Sequence, residues 1–121
     1  MLLDSNIIIY AAQPEHTDLR RFIADNEVVV SAVSYVEVLG YHKLTDADRT
    51  TLTTFFAAVE ILPITQGVLD RAVGLRQRRK MSLGDALVAA TALEYGRTLV
   101  TRNAKDFAWI DGLTLHNPLP S

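Results

Sequence analysis

"SLGDALVAATALEYGRTLVT" (residues 82–101) decides the class of fold. Its first part is apolar and small-residued nearly throughout and reads as a buried helix over 82–96, stopped at Gly96. "TLVT" (98–101) then reads as a short strand. One residue is out of keeping. Asp85 lies one turn into this apolar helix, and a buried charge must be paired, hydrogen-bonded, protonated or bound to a metal.

Working outward, strand and helix alternate. "MLLD" (1–4) reads as a short strand, followed by helices over 5–12 and 17–26. "EVVVSA" (27–32) is a continuous β-branched strand, followed by helices over 34–44 and 46–59. "EILPI" (60–64) is a strand, and 65–80 an amphipathic helix with Val68, Leu69, Ala72, Val73 and Leu75 inward. After "TLVT" come a short helix over 103–110 and a last strand over 113–117. Parallel neighbours need crossovers, and helices supply them. The expected fold is α/β: a three-layer α/β/α sandwich around a short, mainly parallel sheet of four or five strands. The 121 residues suffice for one domain, 1–121, with one core.

Bulk composition narrows the function. There is no cysteine, which removes disulfides and thiolate metal sites. No apolar run approaches the ~20 residues that cross a membrane, and no basic leader precedes Asp4, so a cytoplasmic protein is expected. The formal net charge is −2, so any nucleic-acid contact must use a local basic patch. The dense cluster is "RQRRK", with Arg76, Arg78, Arg79 and Lys80 just ahead of Ser82; Arg102 and Lys105 stand beside Asn103. These cations suit phosphate positioning, and those of the cluster equally suit a solvated helix end.

Four acids fall in equivalent places. Asp4 ends the first strand, Glu37 follows Ser34 by three, Asp85 follows Ser82 by three, and Asp106 follows Asn103 by three. At the carboxyl edge of an open parallel sheet such positions line the ligand crevice. Each also fits a plainer role, because Ser-x-x-Glu/Asp is a capping box and Asp4 is a suitable helix cap. Capping accounts for each acid singly but not for their convergence. Two carboxylates ~5 Å apart repel by ~3 kcal/mol at an effective dielectric of ~20, so a shared pocket needs protons or a cation. An all-oxygen donor set calls for a hard cation, Mg²⁺ or Mn²⁺. His16, His42 and His116 are scattered, which disfavours zinc.

The blocks "LLDSNIIIY", "SAVSYVEVLG", "SLGDALVAATAL" and "LVTRNAKDF" together resemble the PIN-domain nucleases, and in particular the VapC-type toxins of toxin–antitoxin pairs. All stand in family order and cover nearly the whole chain. The resemblance implies a metal-dependent endoribonuclease with an acidic tetrad at Asp4, Glu37, Asp85 and Asp106, which would be both metal ligands and catalytic groups. Many members carry Asp where this chain has Asn103, so the fourth ligand is expected to be Asp106, Asn103 through its carbonyl oxygen, or either through a water. Asn6 and Thr101 are expected to orient the carboxylates, and Arg76, Arg78, Arg79, Lys80 and Arg102 to contact RNA. Water attack on phosphorus would leave 5′-phosphate and 3′-hydroxyl ends. The resemblance further implies a homodimer and a small antitoxin partner.

Rival readings meet specific obstacles. A phosphorelay receiver needs an acceptor Asp after its third strand, and "EILPIT" supplies none. A phosphatase with an Asp nucleophile after the first strand usually has a second Asp two residues on, where this chain has Asn6. A catalytically silent PIN-like interaction module would not need the intact set of acids.

Overall fold

Adjacent residues on each strand of the computed structural model, which describes residues 1–119, point to opposite faces of the sheet and so feed two separate cores. The strands are β1 (Leu2–Leu3), β2 (Val29–Ser31), β3 (Glu60–Leu62), β4 (Leu99–Val100) and β5 (Leu115–His116). They pair in the order β3-β2-β1-β4-β5, every pair parallel. Leu2 lies in register with Val29 and Leu99, and Leu3 with Val30 and Val100.

Leu2, Val29, Leu62 and Leu99 meet α5 (Gln66–Arg78), α6 (Leu83–Tyr95) and Phe107 of α7 (Ala104–Phe107) on one face. Leu3, Val30 and Val100 meet the other face, covered by α1 (Ser5–Ala11), α2 (Thr17–Asp25), α3 (Ala32–Leu39) and α4 (Asp46–Ala58) through Ile7, Ile8, Leu19, Val38, Leu52 and Phe56. The sandwich is therefore the expected three-layer α/β/α arrangement, with five strands. No helix among the described residues is long and apolar enough to cross a membrane.

Helix α6 explains its own composition. Ala86, Val88, Ala89, Ala90, Thr91 and Ala92 are all buried, and such small side chains let its backbone approach both the sheet and α5. The one polar member, Thr91, donates to Leu87 O (2.7 Å) and pairs with Ser31 Oγ on β2 (3.1 Å), so nothing polar is left unmet. Gly96, at φ 64°, ends the helix in a Schellman motif: Arg97 N–H donates to Ala92 O (2.9 Å) and Gly96 N–H to Leu93 O (3.3 Å).

Three expectations need correction. The helix expected over 34–44 starts two residues earlier, at Ala32, capped by Ser31, whose Oγ accepts from Val33 N–H (3.2 Å), and it ends at Leu39 with Gly40 as its C-cap. In α5 only Val68, Ala72 and Leu75 are buried; Leu69 and Val73 remain 43% and 55% exposed. A helix laid on one neighbour buries a single i, i+4, i+7 stripe, and those two residues flank it. The strands are also shorter than their apolar runs, because the helices begin almost as soon as the sheet pairing ends.

Candidate metal centre

The chain runs from β1 outward through β2 to β3, then returns to place β4 on the other side of β1. Crossovers leave in opposite directions there, and the carboxyl ends of β1 and β4 flank the resulting crevice. Asp4 follows β1 and Thr101 follows β4, both buried. Thr101 Oγ1 donates to Asp4 Oδ2 (2.9 Å), and Ser5 N–H donates to Asp4 Oδ1 (2.8 Å). Asn103 N–H in turn donates to Thr101 Oγ1 (3.0 Å), which fixes the hydroxyl's remaining direction toward Asp4. Asp4 is thus the cap of α1 but more than a cap, since one carboxylate oxygen is held from a strand 97 residues away. Burial pushes its carboxyl up to about 6, and the charges of Asp85 and Glu37 push the same way, against the two hydrogen bonds.

Glu37, on α3, is not a capping acid. Its expected partner Ser34 is buried one turn inside the helix, and Ser31 does the capping. Instead Ser5 Oγ donates to Glu37 Oε1 (2.8 Å) while lying 2.9 Å from Ser34 Oγ. A hydroxyl has one proton, so Ser34 donates to Ser5 and Ser5 donates to Glu37. Ser5 therefore touches two of the acids, Asp4 through its backbone and Glu37 through its side chain. Gly84 completes this arrangement. A Cβ there would collide with Glu37 Oε2 and stand 2.9 Å from its Cδ. The bare backbone is the cradle that lets the Glu37 carboxylate reach the start of α6.

Asp85 lies beside that cradle. Ser82 Oγ accepts from Asp85 N–H (3.1 Å) and caps α6. Burial raises the Asp85 carboxyl above its ordinary range; the charge of Asp106 adds to this and Ser82 opposes it. Asp106 is exposed on α7, and Asn103, ahead of it, makes no side-chain cap. The charges are linked in a row: Glu37 and Asp85 act on Asp4, and Asp106 acts on Asp85. Among the described residues no three acidic or histidine side chains close to ligating distance of one point. Like charges keep carboxylates apart unless a counter-charge sits between them. The donor set is all oxygen, and the Gly84 cradle leaves one carboxylate facing the others, so these residues fit a hard divalent ion.

The remaining expected residues divide. Thr101 orients Asp4 directly, whereas Asn6 is exposed and makes no hydrogen bond with any of the four acids; Ser5 next to it does that work. Arg79 and Lys80 line a cleft with Asp85 and Asp106, joined by Lys105, Met81 and Trp109. Arg76 instead donates to Met81 O (3.3 Å) and lines an apolar groove with Leu69 and Val73. Arg78 stands over Trp109, and Arg102 over the Tyr10 ring on another side of α7. Sequence reasoning missed Ser5, Gly84 and Trp109. Only Ser5 left a trace, as a hydroxyl adjacent to the first acid.

Comparison with known proteins identifies the family. The PIN domain family matches residues 1–113. Ribonuclease VapC2 of Rickettsia felis is 26% identical, the match spanning 96% of this chain and 96% of that protein. A toxin–antitoxin complex from Klebsiella pneumoniae contains a chain 29% identical, with a TM-score of 0.76 over 98% of this chain and 97% of that one. VapBC2 from Rickettsia felis, solved bound to a promoter DNA fragment, superposes with a TM-score of 0.82 at 23% identity, covering 96% of each chain. With the acids standing at the switch point of a five-stranded parallel sheet and the profile spanning nearly all of the sequence, the chain belongs to the PIN domain family.

Proposed function

We propose that this chain is a divalent-metal-dependent endoribonuclease, the VapC-type toxin of a toxin–antitoxin pair. The observation that carries the reading is the buried Asp4 carboxylate, held by Thr101 from the neighbouring strand and pushed upward by its own burial and by the charges of Asp85 and Glu37. A structural cap has no need of either acid nearby. Asp4, Glu37, Asp85 and Asp106 would hold Mg²⁺ or Mn²⁺, with Asp106 favoured over Asn103 as the fourth because its charge acts on Asp85. When bound, the ion supplies charge neutralisation at the phosphate and a water acidic enough to attack at neutral pH.

The protein's own groups do the rest. Thr101 and Ser5 keep Asp4 in one orientation, and the Ser34–Ser5 relay does the same for Glu37. The cations on the cleft side draw in the RNA backbone. A water oxygen bonds to phosphorus as the bond to the 3′-oxygen breaks. That oxygen takes a proton, leaving a 3′-hydroxyl and a 5′-phosphate. The serines beside the acids, Ser5 and Ser34, are buried and held in the relay to Glu37, which leaves water as the nucleophile in this reading.

The solved relatives are toxin–antitoxin complexes, which supports a small antitoxin as partner; the homodimer as working form is proposed from the family resemblance alone. Val36 and Leu83, 69% and 59% exposed, give such partners apolar surface to cover. The cytoplasm is the expected place of action, where the RNA is.

The test is cleavage of structured RNAs by the purified protein in Mg²⁺, Mn²⁺ or chelator, comparing wild type with Asp4→Asn and Asp85→Asn. Metal-dependent cleavage that both variants lose is expected. Cleavage unchanged in chelator, or in Asp85→Asn, overturns the reading.

A further inference from the structure

The cleft between the start of α6 and α7, about 310 Å³, has an unusual lining. Asp85 and Asp106 line it together with Arg79, Lys80, Lys105 and Trp109. Opposite charges this close normally pair. Yet among the described residues the one ion pair is Arg71 with Glu94, on α5 and α6, and none crosses this cleft. The cations here are available to another anion.

Trp109 accounts for part of this. Its indole Nε1–H donates to Asp106 O (3.0 Å), which fixes the ring. The Arg79 guanidinium lies over that ring, 4.9 Å from its centroid, and Arg78 stands 5.8 Å away. A guanidinium resting on an indole face keeps its in-plane N–H groups free for a bidentate acceptor. The ring is thereby a shelf that presents Arg79 into the cleft.

We propose that this cleft is a phosphate subsite for the RNA backbone, holding the phosphate next to the one that is cut. Arg79, Lys80 and Lys105 bind it, and Trp109 is the positioning residue for Arg79. This rests on the nuclease reading for its substrate but adds a binding site that the four acids do not specify. Such a site fixes register along the strand, since its distance from Asp85 sets which phosphodiester reaches the acids. It also separates the basic cluster by role: Arg79 serves this subsite, Arg76 faces the apolar groove of α5 and α6, and Lys80 borders both.

The chain has a single tryptophan, so its fluorescence reports on this cleft alone. A short single-stranded RNA is titrated in chelator, where no cutting occurs, at several salt concentrations. Wild type is expected to change its Trp109 emission on binding, and Arg79→Ala and Lys105→Ala to bind about 3–10-fold more weakly, each with a salt slope shallower by ~0.7. Trp109→Phe, which keeps an aromatic shelf, retains most of the affinity that Trp109→Ala loses. In the cleavage assay these losses fall on KM more than on kcat. Arg49→Ala, an exposed cation on α4, serves as the control for general charge loss. Unchanged emission together with unchanged affinity and salt slope in Arg79→Ala and Lys105→Ala overturns the subsite, whatever the enzyme cuts. So does a loss equal to that of Arg49→Ala, which marks bulk charge only, and so does a wild-type emission change produced equally by an acidic peptide, which marks a protein-binding groove. Salt-dependent RNA binding that needs Arg79, in a protein that never cleaves, would overturn the nuclease reading and leave the subsite standing.

Discussion

The two ends of the acid row are built differently. Asp4 and Glu37 are tied to other elements, Asp4 by Thr101 and Glu37 by Ser5. Asp85 and Asp106 line an open cleft with Arg79, Lys80 and Lys105 and pair with none of them. The tied end has a fixed shape whatever is bound. On the proposed function, the open end would take its final arrangement from its ligands, with substrate contacts there and the anchor at Asp4.

The largest effect that can break this comparison comes from Asp4→Asn. The substitution keeps the shape of the side chain and removes its charge. RNA cleavage is expected to fall about a thousandfold or more, equivalent to ~4 kcal/mol of transition-state stabilisation. The rise in melting temperature on adding Mn²⁺ should vanish with it. Asp106→Asn, at the open end, should lose only about 10–100-fold. Equal losses at both ends would mean that the anchor and the open end do not differ in role.

Next in size is the support of Asp4. Thr101→Val removes the donor to a buried carboxylate and also the acceptor for Asn103 N–H. The fold should lose ~1–3 kcal/mol, seen as a lower midpoint in urea, and cleavage should drop about 10–100-fold. Ser5→Ala leaves the backbone bond to Asp4 intact but cuts the link to Glu37, so about tenfold is expected. Gly84→Ala displaces Glu37 without touching Asp4, and an effect on cleavage as large as that of Asp4→Asn would relocate the anchor to the Glu37 side.

How much of this could be read beforehand follows from the range of each interaction. The sandwich was legible because alternating strands and helices allow few packings, and Gly96 and Ser82 act within their own helix. The placing of the four acids on one rim follows from strand order near β1, which a switch-point argument anticipates in outline. The links among them were not legible. Ser5 meets Glu37 across 32 positions, and Thr101 meets Asp4 across 97. Asn6 stands two residues from Asp4 and is expected to orient it, but the helix turn that begins at Ser5 carries Asn6 outward to solvent. The cap of α3 was misplaced for a similar reason: Ser31 and Ser34 both suit a cap, and the end of the pairing with β3 decides between them. Trp109 gave no sign at all, since its role depends on where the end of α5 lies relative to α7.

The smallest effect concerns protons, and its sign separates the tied end from an ordinary cap. A carboxylate that only caps a helix has its pKa lowered by folding, and it stabilises more as pH rises. Asp4 goes the other way. Its carboxyl sits at about 6 against an ordinary 3.8, chiefly because it is buried. Between those values the folded chain holds more protons than the unfolded one, so stability falls as pH rises from about 4 through about 6. Asp85 contributes in the same direction. In chelator, Asp4→Asn should therefore match wild type near pH 4 and exceed it at pH 7.5, by up to ~3 kcal/mol. Adding Mn²⁺ at pH 7.5 to about a thousand times its Kd should invert the ranking, since the ion then stabilises the protein that binds it by ~4.1 kcal/mol. Thermal melts of both proteins at the two pH values, with and without the ion, give all four comparisons. A wild type that gains on the variant as pH rises in chelator would make Asp4 a helix cap and nothing more.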